Sequence, residues 1–190
     1  MMRKLFLLIS LFLLYAVEAD AWRVFDKVAV KSVMKRVADW QIANPNKGAE
    51  HDDLDWTHAA LYMGMVDWAE LTEKEDADDS YFQWLLRIGK RNHFQVGKWM
   101  YHADFIAVGQ PFIDLYSKYG NKKMIAPVMA RANWVVENPA EVALALDYGK
   151  LETLDRWSWC DALFMAPPVY AKLYALTKDK RYLDFLNKEY

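Results

Sequence analysis

The residues best suited to chemistry in this sequence are three aspartates, Asp55, Asp104 and Asp161. They are separated by 49 and 57 residues, and each stands at the head of an apolar stretch. Aspartate in that position has two readings. It is a preferred helix N-cap, accepting backbone N–H bonds and favoured by the helix dipole. In an apolar, aromatic pocket it does something else: desolvation disfavours the ionised form, the pKa rises, and the carboxyl can serve as a general acid near neutral pH. Asp161 closes the stretch Arg156-Trp157-Ser158-Trp159-Cys160-Asp161, and Asp104 follows Tyr101-His102-Ala103. Two carboxyls at one mouth with aromatic platforms beside them are what sugar chemistry needs. Spacing alone leaves both readings open.

Helices must do the positioning, because the chain reads as helical throughout. Residues 22–41 carry Val24, Phe25, Val28, Val33, Val37 and Trp40 at a rough 3.6 period. The cluster Asn44-Pro45-Asn46-Lys47-Gly48 then ends that helix. Further helices are predicted over 56–71, 81–88, 104–117, 122–136 and 161–176, with a seventh after the turn Thr177-Lys178-Asp179. Pro167 and Pro168 predict a kink or break inside the sixth, and 137–156 reads as a long connection. The stretches 55–88, 104–134 and 161–190 look like variations on one unit: Asp, an apolar helix, a polar turn, a more mixed helix. Periods of this size signal stacked αα-hairpins, in an open solenoid or a closed toroid. Stacking in register places Asp55, Asp104 and Asp161 around one mouth, with the near-apolar helices forming an inner layer.

The 190 residues are 54% hydrophobic and 26% charged with only 7 Gly and 6 Pro, which excludes disordered and collagen-like classes and fits one domain plus an extension. A balance of 24 Lys+Arg against 26 Asp+Glu gives no support for nucleic-acid binding. Nine Trp, eleven Tyr and nine Phe are an unusually aromatic set, fit for a bulky core or for stacking flat ligands. At the N-terminus, Met1-Met2-Arg3-Lys4 precedes the apolar run 5–15 and the small-residue site Ala19-Asp20-Ala21. This is the pattern of a secretory signal peptide over 1–21, and the run is shorter than the roughly 20 residues that span a bilayer. A periplasmic or secreted protein follows, with no membrane attachment after cleavage. The lone Cys160 forms no intramolecular disulfide and reads as a small buried apolar residue.

Other site classes find little support. The four histidines show no metal-ligand spacing, and His51-Asp52-Asp53 reads as a solvated loop rather than a metal site. No G-x-S-x-G, P-loop or G-x-G-x-x-G occurs. Lys118, Lys122 and Lys123, and again Lys178, Lys180 and Arg181, read as solvated helix ends.

The stretch from Arg156 through Asp161-Ala162-Leu163-Phe164-Met165-Ala166-Pro167-Pro168 resembles the unsaturated glucuronyl and rhamnogalacturonyl hydrolases, glycoside hydrolase families 88 and 105, and is closer to 105. Asp55-Trp56-Thr57-His58-Ala59-Ala60-Leu61-Tyr62 and Tyr101-His102-Ala103-Asp104 through Val108-Gly109-Gln110 to Asp114-Leu115-Tyr116 agree with it. The resemblance covers essentially all of 22–190. It implies an all-α fold, an (α/α)6 barrel, of which the αα-hairpin repeats here form about half. It further implies Asp161 as catalytic acid/base, Asp104 as second acidic residue, and Trp56 and Trp159 in the substrate pocket. Many relatives carry a second Asp where this chain has Phe105.

The implied substrate is an oligosaccharide with a terminal 4,5-unsaturated uronic acid, left by a polysaccharide lyase. Protonation at C4 of the enol ether and addition of water at C5 need no metal and no organic cofactor. A six-hairpin barrel at this period needs about 300 residues or more. The sequence also stops at Asn187-Lys188-Glu189-Tyr190, inside an amphipathic helix with no stop signal. Both observations predict the N-terminal part of a longer hydrolase, whose open barrel edge offers a surface for self-association. The alternatives are a non-catalytic helical-repeat binding protein and an inactive truncated copy. Whether rhamnogalacturonan, ulvan or glycosaminoglycan supplies the substrate is open at this level.

Expression in a bacterium is expected to yield an exported product whose first residue lies between Ala19 and Trp22, read by N-terminal sequencing. Retention of residues 1–15 in the mature protein overturns the signal-peptide assignment.

Overall fold

The computed structural model describes residues 26–45, 51–150 and 152–189. The expected signal segment, the start of the first predicted helix and most of the turn cluster at 44–48 lie outside them. Two units divide the chain at Pro45. The described part of the first is one helix, α1 (Lys27–Ala43), opened by Asp26, whose carboxylate accepts the Ala29 N–H at 3.0 Å. Among the described residues no strand occurs, and no helix is long and apolar enough to cross a membrane.

The second unit is three αα-hairpins in succession. The first pairs α2 (Trp56–Asp76) with α3 (Ser80–Arg91). The second runs through α4 (Ala103–Ile106) and α5 (Gly109–Tyr119), then a 3₁₀ turn (Lys122–Met124) and α6 (Ala126–Glu137). The third follows the long connection, which holds α7 (Glu152–Asp155), and comprises α8 (Ala162–Met165), α9 (Pro167–Thr177) and α10 (Lys180–Glu189). All three hairpins turn in one way: the C-caps Ala77, Gly120 and Lys178 adopt left-handed φ of 55°, 68° and 60°. A residue in that conformation ends a helix by turning its N–H back onto the last carbonyls. The repeat seen in the sequence is therefore a repeat of backbone conformation, even where no glycine marks it.

Helix α5 packs between α2 and α9 to form the inner layer, while α3, α6 and α10 lie outside them. The outer α3 and α10 are strongly amphipathic, as a layer with one face in solvent requires. Tyr62, Trp68, Phe82, Phe112, Val169, Tyr170 and Leu173 fill the space between. Gly109 lets three helices approach closely, since a Cβ there would meet Val128 Cγ1 at 2.9 Å and Val169 Cγ2 at 3.4 Å. Ion pairs join the inner helices to one another. Lys172 donates to both oxygens of Asp114 at 2.7 and 2.6 Å, and Lys118 pairs with Glu73 while lying over the Phe82 ring. Lys118 is thus no simple solvated helix end. Deeper, Arg156 donates to Glu189 at 2.8 and 3.0 Å, with the Glu189 side chain fully buried.

Three of the predicted helices are each cut in two, and proline does it every time. Pro111 has no N–H to give the Ala107 carbonyl, which accepts from Gln110 N–H instead, so 104–117 separates into α4 and α5. Pro127 stands at the start of α6, and the residues before it tighten into the 3₁₀ turn. Pro167 and Pro168 separate α8 from α9, as the sequence predicts.

The last break leaves carbonyls without helical donors, and Gln110 supplies them. Its buried amide donates to Phe164 O at 2.7 Å and Met165 O at 3.0 Å. Gln110→Leu keeps the volume and removes both bonds. Orphaning buried carbonyls costs about 1–3 kcal/mol each where water does not reach them. The expected result is a urea midpoint well below that of the parent, with helix content retained; an unchanged midpoint would mean that the bonds carry no net stability.

Candidate active site

The breaks place the aspartates. Each of α4 and α8 is a single turn standing at the head of its inner helix, and the two pack against each other. Asp104 lies in the first turn of α4, and Asp161 directly precedes α8. Asp55 precedes α2, whose neighbour is α5. The Asp104 carboxyl is close enough to feel the charges of both Asp161 and Asp55, so the three share one rim.

Their bonding separates them. Asp55 is a cap in full: its Oδ1 accepts the Thr57 N–H and hydroxyl, each at 3.0 Å, and its Oδ2 lies 3.2 Å from His51 Nδ1. Burial works to raise its pKa, but those bonds prevail and hold it below the ordinary carboxylate value. Asp104 caps nothing. The cap of α4 is His102, whose Nδ1 accepts the Asp104 N–H at 3.3 Å and lies 3.9 Å from Asp104 Oδ2. Burial pushes the Asp104 carboxyl above the usual range; His102 opposes the rise, and Asp161 and Asp55 add to it. Asp161 occupies the cap position of α8 without making a side-chain cap bond. It is exposed, not enclosed in the apolar pocket that its neighbours suggest. The desolvated carboxyl of the pair is Asp104.

The aromatic residues of the motif divide between core and rim. Trp157 is buried and packs on Tyr101, Tyr170 and Phe185, while its indole N–H donates to Tyr101 O at 2.8 Å. That bond ties the segment leading to Asp161 to the segment leading to Asp104. Trp56 and Trp159 are both exposed, as a pocket wall requires, and Trp159 meets Tyr148 edge-on at 5.9 Å. Cys160 is exposed rather than buried, lying in the turn that precedes α8 and not in the helix itself. The loop at 51–53 also departs from expectation. Asp53 is half-buried rather than solvated, gripped by Arg91 through two bonds of 2.6 Å and by Asn92 at 2.8 Å. Burial would raise its pKa, yet these partners hold it low. The grip fastens the approach to Asp55 onto the end of α3.

Sequence reasoning passed over two aromatic residues at this rim, Trp99 and Tyr148. Trp99 is half-exposed, stacks on Phe105 at 5.0 Å and 30°, and meets His102 edge-on at 5.8 Å. Among the described residues Tyr148 is the most exposed of the large aromatic side chains. Both lie between predicted helices, where no periodicity draws attention to them. Proximity to the flagged carboxyls was the available signal. Among the described residues no group of three His, Cys, Asp or Glu side chains is placed to hold a metal ion. The arrangement can exchange protons through Asp104 and Asp161 while flanking aromatic rings hold a flat, polar-edged ligand.

Comparison with known proteins gives the family. The family model described as Glycosyl Hydrolase Family 88 matches residues 20–190. An unsaturated 3S-rhamnoglycuronyl hydrolase of Alteromonas sp. (strain LOR) is 27% identical over 184 aligned residues, covering 85% of this chain and 44% of the relative. A protein of the same name from Formosa agariphila is 28% identical over 166 residues, covering 85% and 42%. The chain therefore spans less than half the length of the curated relatives it matches. Among solved structures, a polysaccharide lyase superposes with a TM-score of 0.67 at 24% identity, over 85% of this chain and 45% of that one. A glycosyl hydrolase family 88 protein from Bacteroides vulgatus gives 0.57 at 19% identity, over 84% and 46%. At these identities the two structures speak for the helical fold alone.

The raised pKa of Asp104 has a consequence for stability. A carboxyl whose folded pKa exceeds its unfolded value, here about 3.8, favours folding most when protonated, and that contribution is lost as pH rises through the folded pKa. Asp104→Asn stays neutral at every pH. Thermal melts from pH 4 upward should therefore show the variant gaining on the parent as pH rises. A gap that stays constant across that range would count against the desolvated, charge-crowded setting described above.

Proposed function

Because this chain belongs to glycosyl hydrolase family 88, we propose that the rim carrying Asp104 and Asp161 removes a terminal 4,5-unsaturated uronic acid from lyase-generated oligosaccharides. The observation that supports this most is the pairing of the two carboxyls that do not cap their helices. Asp55 is fully engaged as a cap, so capping accounts for it. It does not account for Asp104 and Asp161, whose side chains remain available at one rim within electrostatic reach of each other.

In the proposed reaction, the proton moves from Asp161 to C4 of the enol ether as positive charge develops at C5 and the ring oxygen. Water adds to C5, and its surplus proton returns to Asp161, which ends the cycle as it began. The resulting hemiketal opens by breaking the bond from C5 to the ring oxygen, which leaves a ketone at C5 and a hemiacetal at C1; the hemiacetal collapses to an aldehyde, and the remaining oligosaccharide leaves as an alcohol. Asp104 is the second acidic residue. Burial and the neighbouring acids hold its carboxyl above the usual range, and it lies within electrostatic reach of the donor. Exposure of Asp161 suits the member that must reach the substrate, and Trp56 and Trp159 flank the site as walls for the sugar. The relatives' names make a rhamnose-linked uronate the first substrate to try. We place the reaction outside the cytoplasm, on the strength of the basic start and apolar run at the N-terminus.

Asp161→Asn keeps the shape of the side chain, which makes no cap bond to lose, and removes its acidity. The expected variant is folded and about 10²–10⁴-fold slower, read as persistence of the conjugated double bond's ultraviolet absorbance. Hydration at close to the parent rate would remove Asp161 from the mechanism. Loss of helix content would instead show that its role is structural.

A further inference from the structure

Trp99 is an ordered indole that burial does not explain. It is 51% exposed, yet it is fixed from several sides. One face stacks on Phe105 at 5.0 Å and 30°, and His102 meets the ring edge-on at 5.8 Å. Its carbonyl accepts from Arg131 at 2.8 Å, and the second arm of the same guanidinium donates to Gly97 O at 2.7 Å. Gly97 in turn donates its N–H to Phe105 O at 2.7 Å. No larger residue fits there, since a Cβ on Gly97 would meet Phe105 Cβ at 2.8 Å and Cα at 2.9 Å. The segment is thus clamped by Arg131 on one side and by the turn carrying Asp104 on the other.

Holding a large side chain still at the surface costs conformational entropy and forgoes the hydrophobic gain of burial. An aromatic ring with one supported face and one open face is suited to receive the apolar C–H face of a sugar. Its neighbours fit the polar edge of the same ligand, because His102, against which it rests, lies 3.9 Å from the Asp104 carboxylate. His102 thus links the indole to the Asp104 carboxyl.

We propose that Trp99, supported by Phe105 and clamped through Arg131, is a binding platform for the sugar that adjoins the reacting uronic acid. It is a specificity-determining residue that recognises the leaving oligosaccharide. The assignment rests on the hydrolase reading for the identity of its ligand, and on geometry for the existence of the platform.

Binding can be read apart from chemistry with a trisaccharide that contains rhamnose and ends in saturated glucuronic acid, which has no double bond to hydrate. Titration calorimetry on the parent, Trp99→Ala and Trp99→Phe is the test, with far-ultraviolet circular dichroism as a check on folding. Trp99→Ala is expected to weaken binding about tenfold, equivalent to about 1.4 kcal/mol. Trp99→Phe, which keeps an aromatic face, should bind within about threefold of the parent. Equal binding by parent and Trp99→Ala, including no binding by either, overturns the platform. So does a Trp99→Phe variant as weak as Trp99→Ala, because a structural role and not a stacking face would then be at stake. Aromatic-dependent binding in a protein that fails to hydrate the unsaturated substrate would uphold the platform and sink the hydrolase reading instead.

Discussion

Proline placement in the inner layer is the constraint on which the rest of the site depends. Helices α5 and α9 cannot run unbroken to the rim, because Pro111, Pro167 and Pro168 have no N–H to continue the ladder. What precedes each break is a single turn, α4 or α8, free to pack against its counterpart rather than extend its own helix. A break of this kind ordinarily leaves carbonyls short of donors. The Gln110 amide removes that penalty by reaching from α5 to Phe164 and Met165, so the device that bends one hairpin is satisfied by the hairpin beside it. Trp157 adds a second bridge at the same level, its indole N–H on the Tyr101 carbonyl. The two aspartates belong to different repeats, yet their separation is governed by bonds that cross between those repeats.

Once gathered, the acidic residues differ through what each is bonded to. Asp55 is saturated by Thr57 and His51 and behaves as structure. Asp104 is denied that comfort because His102 has taken the cap position, leaving its carboxyl half-buried among like charges. Asp161 is held at the head of its turn with no capping bond. Nearby acids cost the fold some electrostatic energy. The surrounding structure offsets that cost with pairs elsewhere, such as Asp53 with Arg91 and the buried Glu189 with Arg156.

Much of this was legible in the sequence for physical reasons. Hairpin repeats announce themselves because an inner helix must be apolar all round and its outer partner must not, and α2 with α3 shows that contrast plainly. The head positions of Asp55, Asp104 and Asp161 follow from the same repeat. Pro167 and Pro168 gave away their break because two adjacent prolines cannot be overlooked, whereas single Pro111 and Pro127 were absorbed into an otherwise convincing apolar pattern although the missing donor is the same. Burial at the ends of elements was the least legible. Cys160 and Asp161 sit beside tryptophans and before an apolar helix, a context that suggests enclosure. Exposure there is set by the direction in which the chain enters α8, which local composition does not encode.

The aromatic content shows the same division between what patterns reveal and what only packing decides. Trp68 and Trp157 are core residues, the first edge-on against Tyr81 of α3 and the second within a cluster of Tyr101, Tyr170 and Phe185. Trp56, Trp99 and Trp159 are chemically identical to them but remain exposed at the rim. In the motif Trp157-Ser158-Trp159 the two indoles are only two residues apart, yet one anchors the fold and the other faces out. That split follows from the irregular backbone between α7 and α8, where successive alternate side chains need not share a face. A motif specific enough to identify a family therefore mixes two demands. Part of it holds the rim together, and the rest is left for whatever the rim binds.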